Sequence, residues 1–115
     1  MTKVYRDITR SIAASAKKLR ADIPDTMKGF DAMADAAMKE GALTEKTKEL
    51  IALAIGVAEH CDGCLGFHLK ALHRLGASRA EVEEALGVAI YMGGGPSLMY
   101  AADALAAFEE LAPPP

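Results

Sequence analysis

No tryptophan occurs in the 115 residues, and tyrosine and phenylalanine contribute only three residues each. A core organised around large rings is therefore excluded, and the 51% hydrophobic content must come mainly from aliphatic side chains and alanine. Two cysteines are too few for the multiple cross-links that staple small secreted scaffolds. No apolar run approaches the roughly 18 residues of a membrane span, and the opening MTKVYRDITR lacks the apolar stretch of a signal peptide. A cytoplasmic chain with no membrane contact is expected. A basic excess is missing too, the formal charge being -3, so no nucleic-acid partner is expected. Lys3, Arg6, Arg10, Lys17, Lys18 and Arg20 gather near the start, but Asp7 and Asp22 stand among them, and the group reads as a solvated helix face.

Sustained alternation and β-branched enrichment are absent as well, which removes strands. Apolar residues instead recur at helical spacing, and the chain reads as an all-α, single-domain protein of about six helices over residues 1–115. The first helix is predicted over about residues 2 to 20, with Val4, Ile8, Ile12, Ala16 and Leu19 on one face. Pro24 opens a second, carrying Met27, Phe30, Ala34, Ala37 and Met38 and stopped by Gly41. Thr44 caps a third, whose LIALAIGVA run is apolar nearly all round and therefore expected to be buried on most sides. A fourth follows CDGC with Leu65, His68, Leu69 and Leu72, ending near Gly76. Ser78 and Glu81 form a capping box for a fifth, through Val82, Leu86, Ala89 and Ile90. GGGP at 93–96 breaks the chain, and Pro96 opens a sixth that holds Leu98, Met99, Ala102, Leu105 and Phe108.

Alanine-rich helices approach closely but bury little area each, at about 25 cal/mol per Å². Six short helices with few aromatics give a lone chain a thin core, so a homo-oligomer is expected. Its contacts would come from the apolar faces beside the CDGC hairpin and on the GGGP-linked pair.

The stretch EHCDGCLGFH holds both cysteines between two histidines. Thiols at a helix start meet free N–H groups and the positive end of the helix dipole, which favour the reactive thiolate. Asp62 and Gly63 let the chain turn so that the sulfurs of Cys61 and Cys64 can meet, and a sulfenic acid on one can be captured by the other. His68, four positions after Cys64, shares its helix face and can act as base or acid. Two other readings stand beside this one. Cys61, Cys64, His68 and either His60 or His73 supply four zinc ligands, which would make the protein a zinc-stabilised helical oligomer. Alternatively, the thiols are buried and inert.

ELIALAIGVAEHCDGCLGFHLKAL resembles the core of the carboxymuconolactone decarboxylase and AhpD-like (alkylhydroperoxidase D) proteins, whose redox branch carries E-x(11)-C-x-x-C-x(3)-H. Glu49, Cys61, Cys64 and His68 occupy all four fixed positions, and the likeness runs from about Leu43 to Leu111 through GASRAEVEEAL and GGGP. The resemblance implies a thiol-dependent peroxidase on a helical fold that forms trimers or hexamers. Cys64 would be the peroxidatic cysteine, Cys61 the resolving one, and His68 with Glu49 the proton relay; no cofactor beyond the dithiol is called for. It further implies a hydroperoxide substrate and a thiol reductant protein, lipoyl-carrying or of the peroxiredoxin type. The lactone chemistry of the decarboxylase branch is the alternative inheritance. Where the AhpD pattern has a histidine immediately before the second cysteine, this chain has Gly63, and His60 is a candidate substitute.

Glu49 poses a geometrical problem of its own. Helical rise puts it about 18 Å before Cys61 and His68 only about 6 Å beyond Cys64. A simple antiparallel hairpin is then expected to keep them apart, with a steep crossing, a water bridge or a neighbouring subunit needed to join them.

Overall fold

A computed structural model describes residues 3–115, so the expected helix start at Thr2 lies outside the described residues. These residues form six helices and no strand: α1 Tyr5–Asp22, α2 Pro24–Met38, α3 Glu45–Ala58, α4 Asp62–Arg74, α5 Arg79–Gly93 and α6 Gly95–Glu110. The all-α reading holds. So do the local start signals: Thr44 accepts from the Thr47 N–H at 3.1 Å, and Ser78 and Glu81 exchange both bonds of the capping box. Each of these needs only a short side chain and the next turn of backbone, which is why sequence alone reveals it.

Helix α3 is the hub, packed on α4, α5 and α6. Leu53 and Val57 of α3, Leu65, Leu69 and Leu72 of α4, and Val82 and Leu86 of α5 make the core, closed on the α6 side by Ala101, Ala104, Ala107 and Phe108. Helix α1 lies along α4, and α2 rests mainly on α1 with no buried residue. Val4 at the α1 N-cap cannot accept a hydrogen bond through its side chain. Glu110 does so from the other end of the chain, accepting from the Tyr5 and Arg6 N–H groups at 2.8 and 3.0 Å.

Several expected faces are corrected. On α1 only Tyr5 and Thr9 are buried, while Val4, Ile12 and Leu19 are exposed, because the helix seats its first turns on α4 and then runs on beside α2. Phe30 of α2 is exposed, and the helix ends at Met38, ahead of Gly41. Helix α3 is not covered all round: Ile51 and Ile55 are 45% and 57% exposed. On α6 the buried stripe is Ser97, Ala101, Ala104, Ala107 and Phe108, leaving Leu98 and Met99 outside. Small residues mark the α6 surface that approaches its neighbours most closely, so ranking by hydrophobicity picks the wrong side. The glycine break is also narrower than expected. Gly93 and Gly95 are helical, and only Gly94, at φ 74°, leaves the helical region.

Ile51, Ile55, Val88, Tyr91, Met92 and Met99 thus remain on the surface of a single chain. If further copies cover them, sedimentation should give a mass that is a multiple of 12.1 kDa, and Ile55→Lys should reduce it. A 12.1 kDa species at micromolar concentration in the unaltered chain would refute the oligomer.

Candidate functional site

The site is built on the turn between α3 and α4. Helix α3 ends in a pair of backbone bonds that reverse the chain. The His60 N–H donates to the Val57 carbonyl at 3.2 Å and the Cys61 N–H to the Gly56 carbonyl at 2.9 Å. The residue between the helix and Cys61 must take a left-handed conformation, and that residue is His60, at φ 56°. Helix α4 ends in the same motif, through Gly76 and Ala77, with glycine at the left-handed place. A histidine where glycine is free of steric cost is a local conflict, and such conflicts concentrate at functional sites.

Cys61 then serves as N-cap of α4, its Sγ accepting from the Cys64 N–H at 3.2 Å. Cys61 and Cys64 are joined as a disulfide, with Cα atoms 5.2 Å apart, and both residues are half-buried. Close approach of the helices holds the pair in place. A Cβ on Gly56 of α3 would come within 3.1 Å of the Cys64 Cβ, so the glycine lets the second cysteine lie against the α3 backbone.

One turn beyond Cys64, His68 Nδ1 lies 2.6 Å from Oε2 of Glu49, which is buried at 7% exposure. The expected separation is therefore corrected, and the two meet within one chain. The expectation counted rise to the cysteines, whereas the helices end at Ala58 and begin at Asp62. Measured to those ends, Glu49 is about 13.5 Å and His68 about 9 Å from the turn, and an extended glutamate spans the remaining ~4.5 Å. A carboxylate accepts, so the Nδ1–H donates to it, which leaves Nε2 as the nitrogen that can take up or release a proton.

His60, the candidate substitute, belongs to a group whose other members sequence reading missed. His60 stacks on Tyr100 of α6, ring centroids 4.6 Å apart, and Lys3 Nζ stands 4.7 Å from the Tyr100 centroid. Lys3 also donates to Asp103 and to Asp62, between the cysteines, each at 3.0 Å, and these carboxylates hold its ammonium above the usual lysine range. Tyr5 is buried beneath, its hydroxyl without a partner among the described residues, and burial pushes its phenol up to about 12. The partners of Lys3 lie 59 and 100 positions away, so no local pattern signals them. The zinc reading does not fit this arrangement. His73 donates through Nε2 to the Phe108 carbonyl at 2.7 Å and stacks on that ring, His60 is on Tyr100, and among the described residues no three potential ligands converge.

The sequence pattern of the carboxymuconolactone decarboxylase family matches residues 24–107. The chain belongs to that family. A crystal structure of an apo carboxymuconolactone decarboxylase family protein from Legionella pneumophila is 54% identical, with a TM-score of 0.93 over 95% of this chain and 97% of that one. An uncharacterized protein of Cupriavidus necator is 43% identical over 88 residues, 76% of this chain and 78% of the relative. Uncharacterized protein 4 in the cox locus of Paracoccus denitrificans is 35% identical over 82 residues, 71% and 74% of the two chains. The family includes enzymes, and within it this chain carries a closely spaced cysteine pair suited to a redox role.

Gly63, the departure from the AhpD pattern, has a structural counterpart. A Cβ there would come 2.7 Å from Cδ1 of Ile12, so α1 covers the place of the histidine. Ile12 is 41% exposed and its tip can swing aside for a methyl group, but an imidazole needs the whole space.

Substitutions at the turn separate strain from stacking. His60→Ala loses the stack and keeps the left-handed strain, whereas His60→Gly loses both; the alanine variant should be less stable than the glycine variant by about 1 kcal/mol in urea unfolding. Equal stability would mean that His60 is not held left-handed. Gly63→His should lower the melting temperature, and adding Ile12→Ala should recover most of the loss; no recovery would show that Ile12 is not the obstacle.

Proposed function

We propose that the chain is a thiol-dependent peroxidase that reduces hydroperoxides through the Cys61–Cys64 pair in a reducing compartment. The observation that carries the proposal is the 2.6 Å contact between Glu49 and His68, one helical turn from Cys64 and in the same chain as the disulfide. A buried carboxylate that fixes one nitrogen of an imidazole leaves the other as a positioned base, the arrangement a cysteine needs to become a nucleophile near neutral pH.

In the proposed cycle His68 Nε2 takes the Cys64 thiol proton. The thiolate attacks one oxygen of ROOH, the O–O bond breaks, and the departing alkoxide takes the proton from His68 and leaves as ROH. Cys64 is now a sulfenic acid. Cys61, deprotonated with help from the Cys64 N–H that points at its sulfur, attacks the Cys64 sulfur; the S–O bond breaks and hydroxide leaves as water with the Cys61 proton. One hydroperoxide and two thiols become alcohol, water and disulfide. A lipoyl-carrying dithiol protein returns two electrons and two protons, entering at Cys61, and a peroxiredoxin can in turn draw electrons from the reduced pair.

Stopped-flow oxidation of the reduced protein by a hydroperoxide, followed by mass spectrometry of the Cys61–Cys64 peptide, tests the cycle. Cys64→Ser should abolish peroxide-dependent disulfide formation. His68→Ala should lower the oxidation rate constant at neutral pH about 10²-fold or more, and Glu49→Gln should lower it less. A Cys64→Ser chain that still consumes peroxide at the normal rate would overturn the assignment, and an unchanged rate in His68→Ala would remove the relay.

A further inference from the structure

The basic residues near the start of the chain are all exposed, as a solvated face requires, but they do not all face the same neighbours. Lys3 goes to the dithiol turn, whereas Arg6 and Arg10 lie on one side of α1 and face α4 across a cleft of about 370 Å³. Lys70 of α4 completes the lining, with Thr9, Phe67 and Leu111 between the cations. Lys70 Nζ donates to the Thr9 hydroxyl at 2.7 Å, closing the seam between the helices, and Thr9 itself is only 1% exposed. No carboxylate lines the cleft, in a chain whose net charge is -3.

The available counter-charges are weak or already engaged. Glu110 stands 3.9 Å from Arg6, but its oxygens already accept from two backbone N–H groups at the start of α1. Asp7 is 3.7 Å from Arg10 in a pair that is 79% and 70% exposed. Solvent screening leaves little attraction in such a pair. Lys70 has no carboxylate partner among the described residues, its ammonium resting on a neutral hydroxyl. Three cations without a buried carboxylate partner among the described residues thus stand around the apolar side chains of Phe67 and Leu111, available to an anion.

We propose that this cleft binds a small organic anion, with a phosphate or carboxylate head on Arg6, Arg10 and Lys70 and an apolar body on Phe67 and Leu111. The volume falls in the range of small-molecule sites, and planar guanidinium groups match both kinds of head. The site is separate from the dithiol. Phe67 and Lys70 lie on the α1 side of α4, whereas Cys64 and His68 face α3. The proposal therefore does not depend on the peroxidase reading.

Amide NMR titration of the full-length, oxidised chain tests it, with phenyl phosphate and benzoate as the two anionic probes and benzyl alcohol as the neutral one. Saturable shifts at Thr9, Phe67 and Lys70 are expected with at least one anion, at a Kd of about 1 mM or tighter, and none with the alcohol. The anion that binds more tightly identifies the preferred head group. Arg10→Gln and Lys70→Met should each weaken binding about tenfold and leave the rate of peroxide-driven disulfide formation unchanged. Arg10 carries no packing role, so its variant remains informative if loss of the Lys70–Thr9 bond disturbs the fold. No saturation by either anion, equal binding of the alcohol, or unaltered affinity in Arg10→Gln would overturn the site.

Discussion

The close crossing of α3 and α4 at their shared turn sets the geometry of everything near the cysteines. Gly56 removes the side chain that would hold α4 away, and its carbonyl accepts the Cys61 N–H, so one residue fixes both the distance and the direction of the reversal. From that follow the position of Cys61 as helix cap, the short span between the sulfurs, and the reach of Glu49 to His68. A bulkier residue at 56 would alter all three together. Packing and chemistry are thus under the same constraint, because helices that pack tightly enough to make a core of leucines and alanines also bring the acid and the imidazole within hydrogen-bond range.

What can be read from the sequence divides along a physical line. Features completed within one turn of backbone are legible: the caps at Thr44 and Ser78, the end of α4 at Gly76, and the sharing of a face by Cys64 and His68. The buried stripes of α4 and α5 are legible too, since Leu65, Leu69 and Leu72 of α4 and Val82 and Leu86 of α5 do face the core. The stripes of α1 and α6 are not. Hydrophobic periodicity shows that a helix has a face but not which neighbour covers it, and on α6 the closest approach selects alanine and serine over leucine and methionine. Glu49 stands out through the family pattern, whereas rise per residue speaks against its partner. Ideal helices measured to the wrong endpoints give the right arithmetic and the wrong distance.

Charge around the dithiol shows why the missed residues matter. Asp62 sits in the first turn of α4, where a carboxylate suits the helix dipole but repels a thiolate on either neighbour. Lys3 meets that carboxylate at 3.0 Å and offsets part of the negative charge that Asp62 and Asp103 bring to the turn. It approaches from outside the hairpin, and Asp103 holds it from α6. Lys3, which lies ahead of α1 and outside the hydrophobic core, can in this way influence how readily the thiols ionise. Exposed pairs of this kind add little to stability, so their effect belongs to the electrostatics of the site.

The two sulfurs are consequently not equivalent, and the asymmetry comes from the helix rather than from the cysteines themselves. A backbone N–H points at the sulfur of Cys61, because Cys61 is the N-cap. Cys64, already inside the first turn, has no such donor to itself and instead lies against α3, on the face that carries His68 one turn later. In the proposed cycle the two routes to a thiolate are therefore different, a fixed dipole for Cys61 and a movable proton for Cys64. Only the second can deliver a proton to a departing alkoxide, and this, more than the spacing of the pair, makes Cys64 the sulfur that should meet the peroxide.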